Sequence, residues 1–111
     1  LVEESFIDNL RFAKAYCHDK FCYSHRGRIK IRQMLRHLRL SDEEIKEGLA
    51  VIPEEDYRQV LLEVLRRKDR TLHEPDTSQR KGKLVRHLLS RGFEMELAVW
   101  AVRAENDKTN S

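Results

Sequence analysis

The chain lacks the marks of several large protein classes. It contains no apolar run that approaches the roughly 20 residues of a membrane-spanning helix, and we see no secretory signal. Two cysteines among 111 residues do not make a disulfide framework. We therefore expect a soluble protein of the reducing cytoplasm. Because the chain begins at Leu1 rather than methionine, we expect a processed form or a fragment.

A strand pattern is also missing. No stretch of useful length alternates apolar and polar residues. Charged residues make up 37% of the chain and apolar residues 40%, a balance typical of a helix-rich protein with a charged exterior. The apolar residues recur with the helical period and predict six helices, including 3–20, 28–38 and 94–104. In the second helix, the predicted inward residues are Ile31, Met34, Leu35 and Leu38. The fold class is therefore all-α.

Local signals predict where several helices begin and end. Ser41 and Glu44 form a capping box before the third helix, and Pro53 predicts the first residue of the fourth. Asp76 or Thr77 is placed to cap the fifth helix, and Gly92 is placed for the left-handed residue that ends it. We predict an elongated pair of three-helix units, 1–52 and 53–105, with a disordered tail at 106–111.

The clearest feature that is present is a repeat. When the sequence is shifted by 53 positions without a gap, Ile31 aligns with Leu84 and Leu35 with Leu88. Each copy predicts a basic helix, a short turn and a helix that opens with acids. A repeated unit implies one local architecture used twice, and it favours an extended binding surface over a single catalytic pocket.

Acidic residues are absent from two long stretches, 20–41 and 77–93. These stretches hold the basic residues that we predict to bind a partner: Arg26, Arg28, Lys30, Arg32, Arg36, Arg39, Arg80, Lys81, Lys83, Arg86 and Arg91. The alternative is a solvated helix face without function. Because the basic blocks recur at equivalent places, attraction to a polyanion or an acidic protein surface is a serious hypothesis.

Little in the chain predicts catalysis or a cofactor. The spacing of Cys17, Cys22 and His25 matches no common zinc site, and Cys17 lies on an apolar helix face. The phosphate-loop frame is absent around Gly82. We therefore expect a protein that is not an enzyme and that uses no cofactor or metal. Trp100 lies off the strictest inward set, so it is predicted either to pack between the units or to contact a partner.

A DNA-binding reading remains open beside these. Small basic three-helix units often place one helix in the major groove of DNA. Arg28, Arg32, Arg36 and Arg39 recur at helical steps and are predicted to form one exposed stripe on the second helix. Gln33 is the obvious reader of base edges, but a stripe of arginine and lysine suits backbone or acidic-surface contact better.

Several motifs in order resemble the RecX family of recombination regulators. They are D-N-L-R-F-A-K-A-Y from Asp8, a glycine before a basic helix, S-D-E-E-I from Ser41, and L-L-S-R-G-F from Leu88. The matching segments run from about 8 to 102. The sequence departs from the family pattern at Arg39, which stands where a glycine is expected.

The resemblance implies a fold and a partner. Proteins of this family are built from tandem three-helix repeats, usually three, and this chain looks similar to the second and third. The resemblance implies a modulator that lodges in the helical groove of the RecA filament on DNA, and we expect the chain to be a monomer. Such binding blocks filament growth or promotes disassembly, and it lowers ATPase and strand-exchange activity. No small-molecule substrate or membrane is implied.

Overall fold

The computed structural model describes the backbone of residues 2–110 and the side chains of residues 6–106. Within this part of the chain there are six helices and no strand, which confirms the all-α prediction. The helices are α1 (Val2–Cys22), α2 (Arg28–His37), α3 (Asp42–Leu49), α4 (Glu54–Thr71), α5 (Thr77–Ser90) and α6 (Met95–Asn110). The molecule is elongated, with extents of 59 × 23 × 21 Å.

The helices pack in two groups of three, which we call the first repeat (α1–α3) and the second repeat (α4–α6). In each group every helix packs against the other two. Among the described residues, no helix of one repeat packs along a helix of the other. The two repeats therefore meet through helix ends and turns, and the predicted tandem arrangement is confirmed.

The buried apolar side chains of the two repeats form one continuous cluster. Its largest fully buried members are Tyr57, Phe93, Ile31, Leu35, Leu61, Leu65, Leu88 and Cys17. Tyr57 and Phe93 join α4 to the turn before α6, with ring centroids 5.5 Å apart. Because each fully buried large apolar side chain contributes about 1.5–3 kcal/mol, a shared cluster stabilises units that are individually small.

The turn after the second helix of each repeat has the same hydrogen bonds. The Leu40 N–H donates to the Leu35 carbonyl at 3.1 Å, and the Phe93 N–H donates to the Leu88 carbonyl at 3.1 Å. These residues are related by the 53-residue shift. The residue before each donor is left-handed, with φ of 68° at Arg39 and 98° at Gly92. The prediction for Gly92 is confirmed, and Arg39 adopts the same backbone geometry without being a glycine.

The helix caps follow the predicted chemistry with one correction. Ser41 and Glu44 form both hydrogen bonds of the capping box, and the Asp76 side chain accepts from the Gln79 N–H at 2.9 Å. Pro53 is not the first helical residue. It is the extended N-cap of α4, with φ −63° and ψ 140°, and the helix begins one residue later.

Two other predictions need correction. Met34 and Leu38 were predicted to face inward, but they are 38% and 45% exposed. The face of α2 that packs against the core carries Ile31 and Leu35 instead. Helix α6 continues past the predicted end at Ala104 to Asn110, since no glycine or proline interrupts it. The backbone of the predicted disordered tail, 106–111, is thus helical as far as Asn110. Its side chains beyond Asn106 lie outside the described residues.

Candidate binding surfaces

The first surface to consider is the place where the two repeats meet, which we call the joint. The first turn of α2 has no side-chain cap, because its N-cap is Gly27. Its backbone donors are satisfied by the second repeat instead. The Gly27 N–H donates to the Arg91 carbonyl at 2.9 Å, and the Ile29 N–H donates to the Gly92 carbonyl at 3.0 Å. The second repeat therefore serves as the cap of a helix in the first.

A close backbone contact accompanies these hydrogen bonds. A Cβ atom added to Gly27 would lie 2.2 Å from the Gly92 carbonyl carbon. A Cβ atom on Gly92 would lie 2.7 Å from the Lys30 Cβ. Neither distance is possible for real atoms, so both glycines are required for this approach. The Arg91 guanidinium adds a hydrogen bond across the joint, to the Ser24 carbonyl at 2.6 Å.

Arg28 occupies the centre of the joint and is only 20% exposed. Its guanidinium donates to Glu94 Oε2 at 3.0 Å and also pairs with Glu54. It lies over the Tyr57 ring, 3.8 Å from the centroid. The Tyr57 hydroxyl accepts from the Arg28 N–H at 2.9 Å and donates to Glu94. The second repeat thus contacts Arg28 at its backbone N–H, at both terminal nitrogens of its guanidinium and across the guanidinium plane.

The electrostatics of the joint follow from these contacts. Burial, followed by the hydrogen bond to Glu94, raises the pKa of Tyr57, so the phenol stays protonated. The hydrogen bond from Arg28 lowers the pKa of Glu54, so this carboxyl stays charged. The joint therefore holds one cation between two carboxylates, with a neutral phenol beneath it.

The second surface is an open groove of about 470 Å³ between α2 and α3. We call it the basic groove and define it by Arg32, Arg36, Lys46, Leu49 and Ala50. Arg32 and Arg36 lie one helical turn apart on α2, and Lys46 comes from α3. Arg32 and Lys46 form no ion pair with any described side chain, and Arg36 has only a 3.7 Å contact with Asp42, which is 90% exposed.

The basic groove is not repeated in the second repeat. Under the 53-residue shift its three cations align with apolar residues, namely Val85, Leu89 and Val99. The four lysine and arginine residues of α5 stand at other helical positions, and two of them are paired with acids. Arg80 pairs with Asp69 at 2.8 Å, and Lys83 pairs with Glu74 at 2.7 Å. Lys81 and Arg86 form no ion pair with a described acid.

The predicted binding residues therefore fall into three groups. The joint takes Arg28 and Arg91, and ion pairs within the second repeat take Arg80 and Lys83. The third group has no close ion pair with a described acid and consists of Arg26, Lys30, Arg32, Arg36, Arg39, Lys81 and Arg86. Of these, Arg36 has only the 3.7 Å contact with Asp42. The sequence did not identify Lys46 as a cation of the basic groove, or Tyr57 and Glu94 as hydrogen-bond partners of Arg28. No local signal marks them, because only the tertiary structure brings Lys46 of α3, Tyr57 of α4 and Glu94 of the turn before α6 close to residues of α2.

The other candidate residues are not brought together. Cys17 is buried and its pKa is raised to about 11 by that burial, so its thiol is a poor ligand and nucleophile. Cys22 and His18 are exposed. In the part of the chain that the structure describes, no group of three or more potential ligands is placed to hold a metal ion. Gly82 lies inside α5, so Lys81 and Lys83 do not flank a phosphate loop.

Trp100 does not pack between the repeats. It contacts Arg58 of α4 within the second repeat, with the guanidinium carbon 4.7 Å from the ring centroid. Arg58 is held in turn by Glu54 at 3.3 Å. The indole remains 38% exposed. Within the described part of the chain, no helix combines the length and the apolar character needed to cross a membrane.

This geometry defines the class of the molecule as a tandem three-helix repeat protein with a fixed joint. Family models identify both repeats. Residues 8–49 match the second three-helix domain of RecX, and residues 54–102 match the third. The chain belongs to the RecX family.

One curated relative illustrates the match. The chain is 27% identical over 110 residues to the Regulatory protein RecX of Leuconostoc mesenteroides. That alignment covers 96% of this chain and 41% of the relative, so the chain spans about two fifths of the relative's length. No solved structure matches the chain.

Proposed function

We propose that the chain is the repeat-bearing part of a regulator that binds the RecA recombinase filament and inhibits its ATPase and strand-exchange activity. Through that binding it modulates recombination and DNA repair in the cytoplasm. Membership of the RecX family supports this proposal. The observation that carries it is the set of exposed cations on the first repeat that lack a strong partner within the molecule.

The proposed mechanism is occupancy rather than chemistry. Free guanidinium and ammonium groups along an elongated body attract acidic protein surface and phosphates, and they retain that attraction only when no internal acid neutralises them. The joint fixes how the free cations of the first repeat stand relative to Lys81 and Arg86 of the second. A body of fixed shape that binds one filament state better than another shifts the filament towards that state. No catalytic residue, metal or cofactor is required, and we propose that the chain acts as a monomer.

The second candidate function is an autonomous DNA-binding module. Gln33 is exposed on α2 beside free cations, and Lys81 and Arg86 carry free charge on α5. This surface suits contact with the DNA backbone, and the salt dependence of such binding would be steep.

A titration of the DNA-dependent ATPase of RecA distinguishes the two functions. If the chain is a regulator of RecA, it should suppress the ATPase at amounts far below those that saturate the DNA. Suppression that appears only once free DNA is fully coated would favour the DNA-binding module. A variant with Arg32→Ala and Arg36→Ala tests whether the first repeat carries the effect, with helicity by circular dichroism as the control for folding.

A further inference from the structure

The basic groove differs from a simple cationic stripe because its lining is partly apolar. Leu49 of α3, the C-cap residue Ala50 and Ile52 line it together with the cations. Leu49 is only partly buried and Ala50 is exposed, so both present carbon surface to the opening. Phosphates are bound by cations and hydrogen-bond donors. A nucleic-acid backbone would therefore leave the apolar part of this groove unused.

The groove of the second repeat provides a contrast within the same molecule. It has about 440 Å³ and is bounded by α4, α5 and α6. Two of its three cations are matched by acids, since Arg66 pairs with Glu105 and Arg80 pairs with Asp69, both at 2.8 Å, whereas Lys81 forms no ion pair with a described acid. In the first repeat, the one acid that lines the groove is Asp42, at 3.7 Å from Arg36. The first groove is lined by four cations and one acid, and the second by three cations and two acids, so the excess of positive charge is larger in the first groove.

We propose that the basic groove binds an acidic segment of a partner protein that carries an apolar side chain among its acids. The carboxylates meet Arg32, Arg36 and Lys46, and the apolar side chain packs on Leu49 and Ala50. This inference rests on the proposed function, because it names the kind of surface that the regulator contacts. It assigns a protein contact to the first repeat and leaves Lys81 and Arg86 of the second repeat available for phosphates.

Fluorescence anisotropy with the chain alone tests the groove. The probe is a short fluorescein-labelled peptide of glutamate and aspartate with two leucines one helical turn apart, and its matched control has serine in place of leucine. The leucine peptide should bind about fivefold more tightly, because apolar burial adds to the charge attraction. Oligothymidylate should displace the leucine peptide poorly.

Three variants address the groove without touching the core. Arg32→Ala with Arg36→Ala should weaken peptide binding about tenfold. Ala50→Glu should weaken it similarly, because it places a like charge beside the peptide. Asp42→Asn should strengthen binding about twofold, and a gain cannot arise from unfolding. Arg86→Ala, on the exposed face of α5, is the control and should leave peptide binding unchanged.

The possible outcomes separate this inference from the proposed function. If both peptides bind alike and oligothymidylate competes through Arg32 and Arg36, the groove takes nucleic acid and the inference is wrong. If sedimentation shows a dimer that the same pair of substitutions dissociates, the groove takes a second copy of the chain, and the inference is again wrong. ATPase suppression without peptide binding would contradict the inference about the groove and leave the proposed function standing. Peptide binding without ATPase suppression would contradict the proposed function and leave the inference about the groove standing.

Discussion

The two repeats share one backbone but use their second helices differently. In the first repeat, α2 directs Arg28 into the joint and places the half-buried Arg32 and the exposed Arg36 beside α3. In the second repeat, the corresponding face of α5 carries Val85 and Leu89, which are partly buried. The same fold thus presents cations in one copy and partly buries apolar residues at the corresponding positions in the other. The difference shows that a repeated basic sequence does not imply a repeated cationic surface.

The largest difference in stability should separate variants of the two equivalent left-handed turns. Gly92→Ala should lower the free energy of unfolding by about 2–4 kcal/mol, because a side chain at φ 98° is strained and would also collide with Lys30. Arg39→Ala, the equivalent change in the first repeat, should alter it by less than about 0.5 kcal/mol, because Arg39 is exposed and already accommodates a Cβ atom. Urea denaturation measures both. Equal losses would contradict the idea that only the second turn receives another repeat.

The second largest difference in stability should separate variants of Arg28 and Lys81, two residues that the 53-residue shift aligns. Arg28→Ala should destabilise the protein by about 2 kcal/mol, because it leaves Glu94 partly buried without its cation. Lys81→Ala should fall within about 0.5 kcal/mol of the parent chain. Thermal unfolding of the two variants under one buffer checks the comparison. A Lys81 variant as unstable as the Arg28 variant would mean that the second repeat has a comparable joint.

The smallest effect should be on how the stability of the protein depends on pH in the acidic range. The pKa of Glu54 lies below its ordinary value, so its contribution to stability is present above the ordinary glutamate pKa of about 4.3. It is lost as the pH falls through the lower value of the folded protein. Stability should therefore fall less steeply between pH 6 and pH 3 in Glu54→Gln than in the parent chain. Because Glu54 is exposed, the difference should be a few tenths of a kcal/mol. Glu55→Gln is the matched control, and an identical change there would contradict the assignment.

The fold was predictable from the sequence to the extent that local signals determine it. The helical period, the capping box of Ser41 and the position of Gly92 depend on residues close in the chain, and each was confirmed. Met34 and Leu38 were predicted to be buried because they share the apolar arc of α2. Their exposure depends on where α1 and α3 lie, which no local pattern reports.

The candidate site was less predictable for the same reason. Charge blocks identify basic residues but not their partners. Arg28 and Arg32 lie on one predicted stripe and both line the basic groove, yet only Arg28 is held by acids of the second repeat. The difference arises from Tyr57 and Glu94, which are distant in sequence. The shift of 53 positions contained one usable clue, since it aligns Arg32 and Arg36 with apolar residues.

The central proposal is that the first repeat carries the contact with the RecA filament. The most direct test compares two double variants in the ATPase titration, Arg32→Ala with Arg36→Ala and Lys81→Ala with Arg86→Ala. The account predicts that the first pair raises the amount needed for half suppression about tenfold, equivalent to about 1.4 kcal/mol, and that the second pair changes it much less. An equal or larger effect of the second pair would contradict the claim.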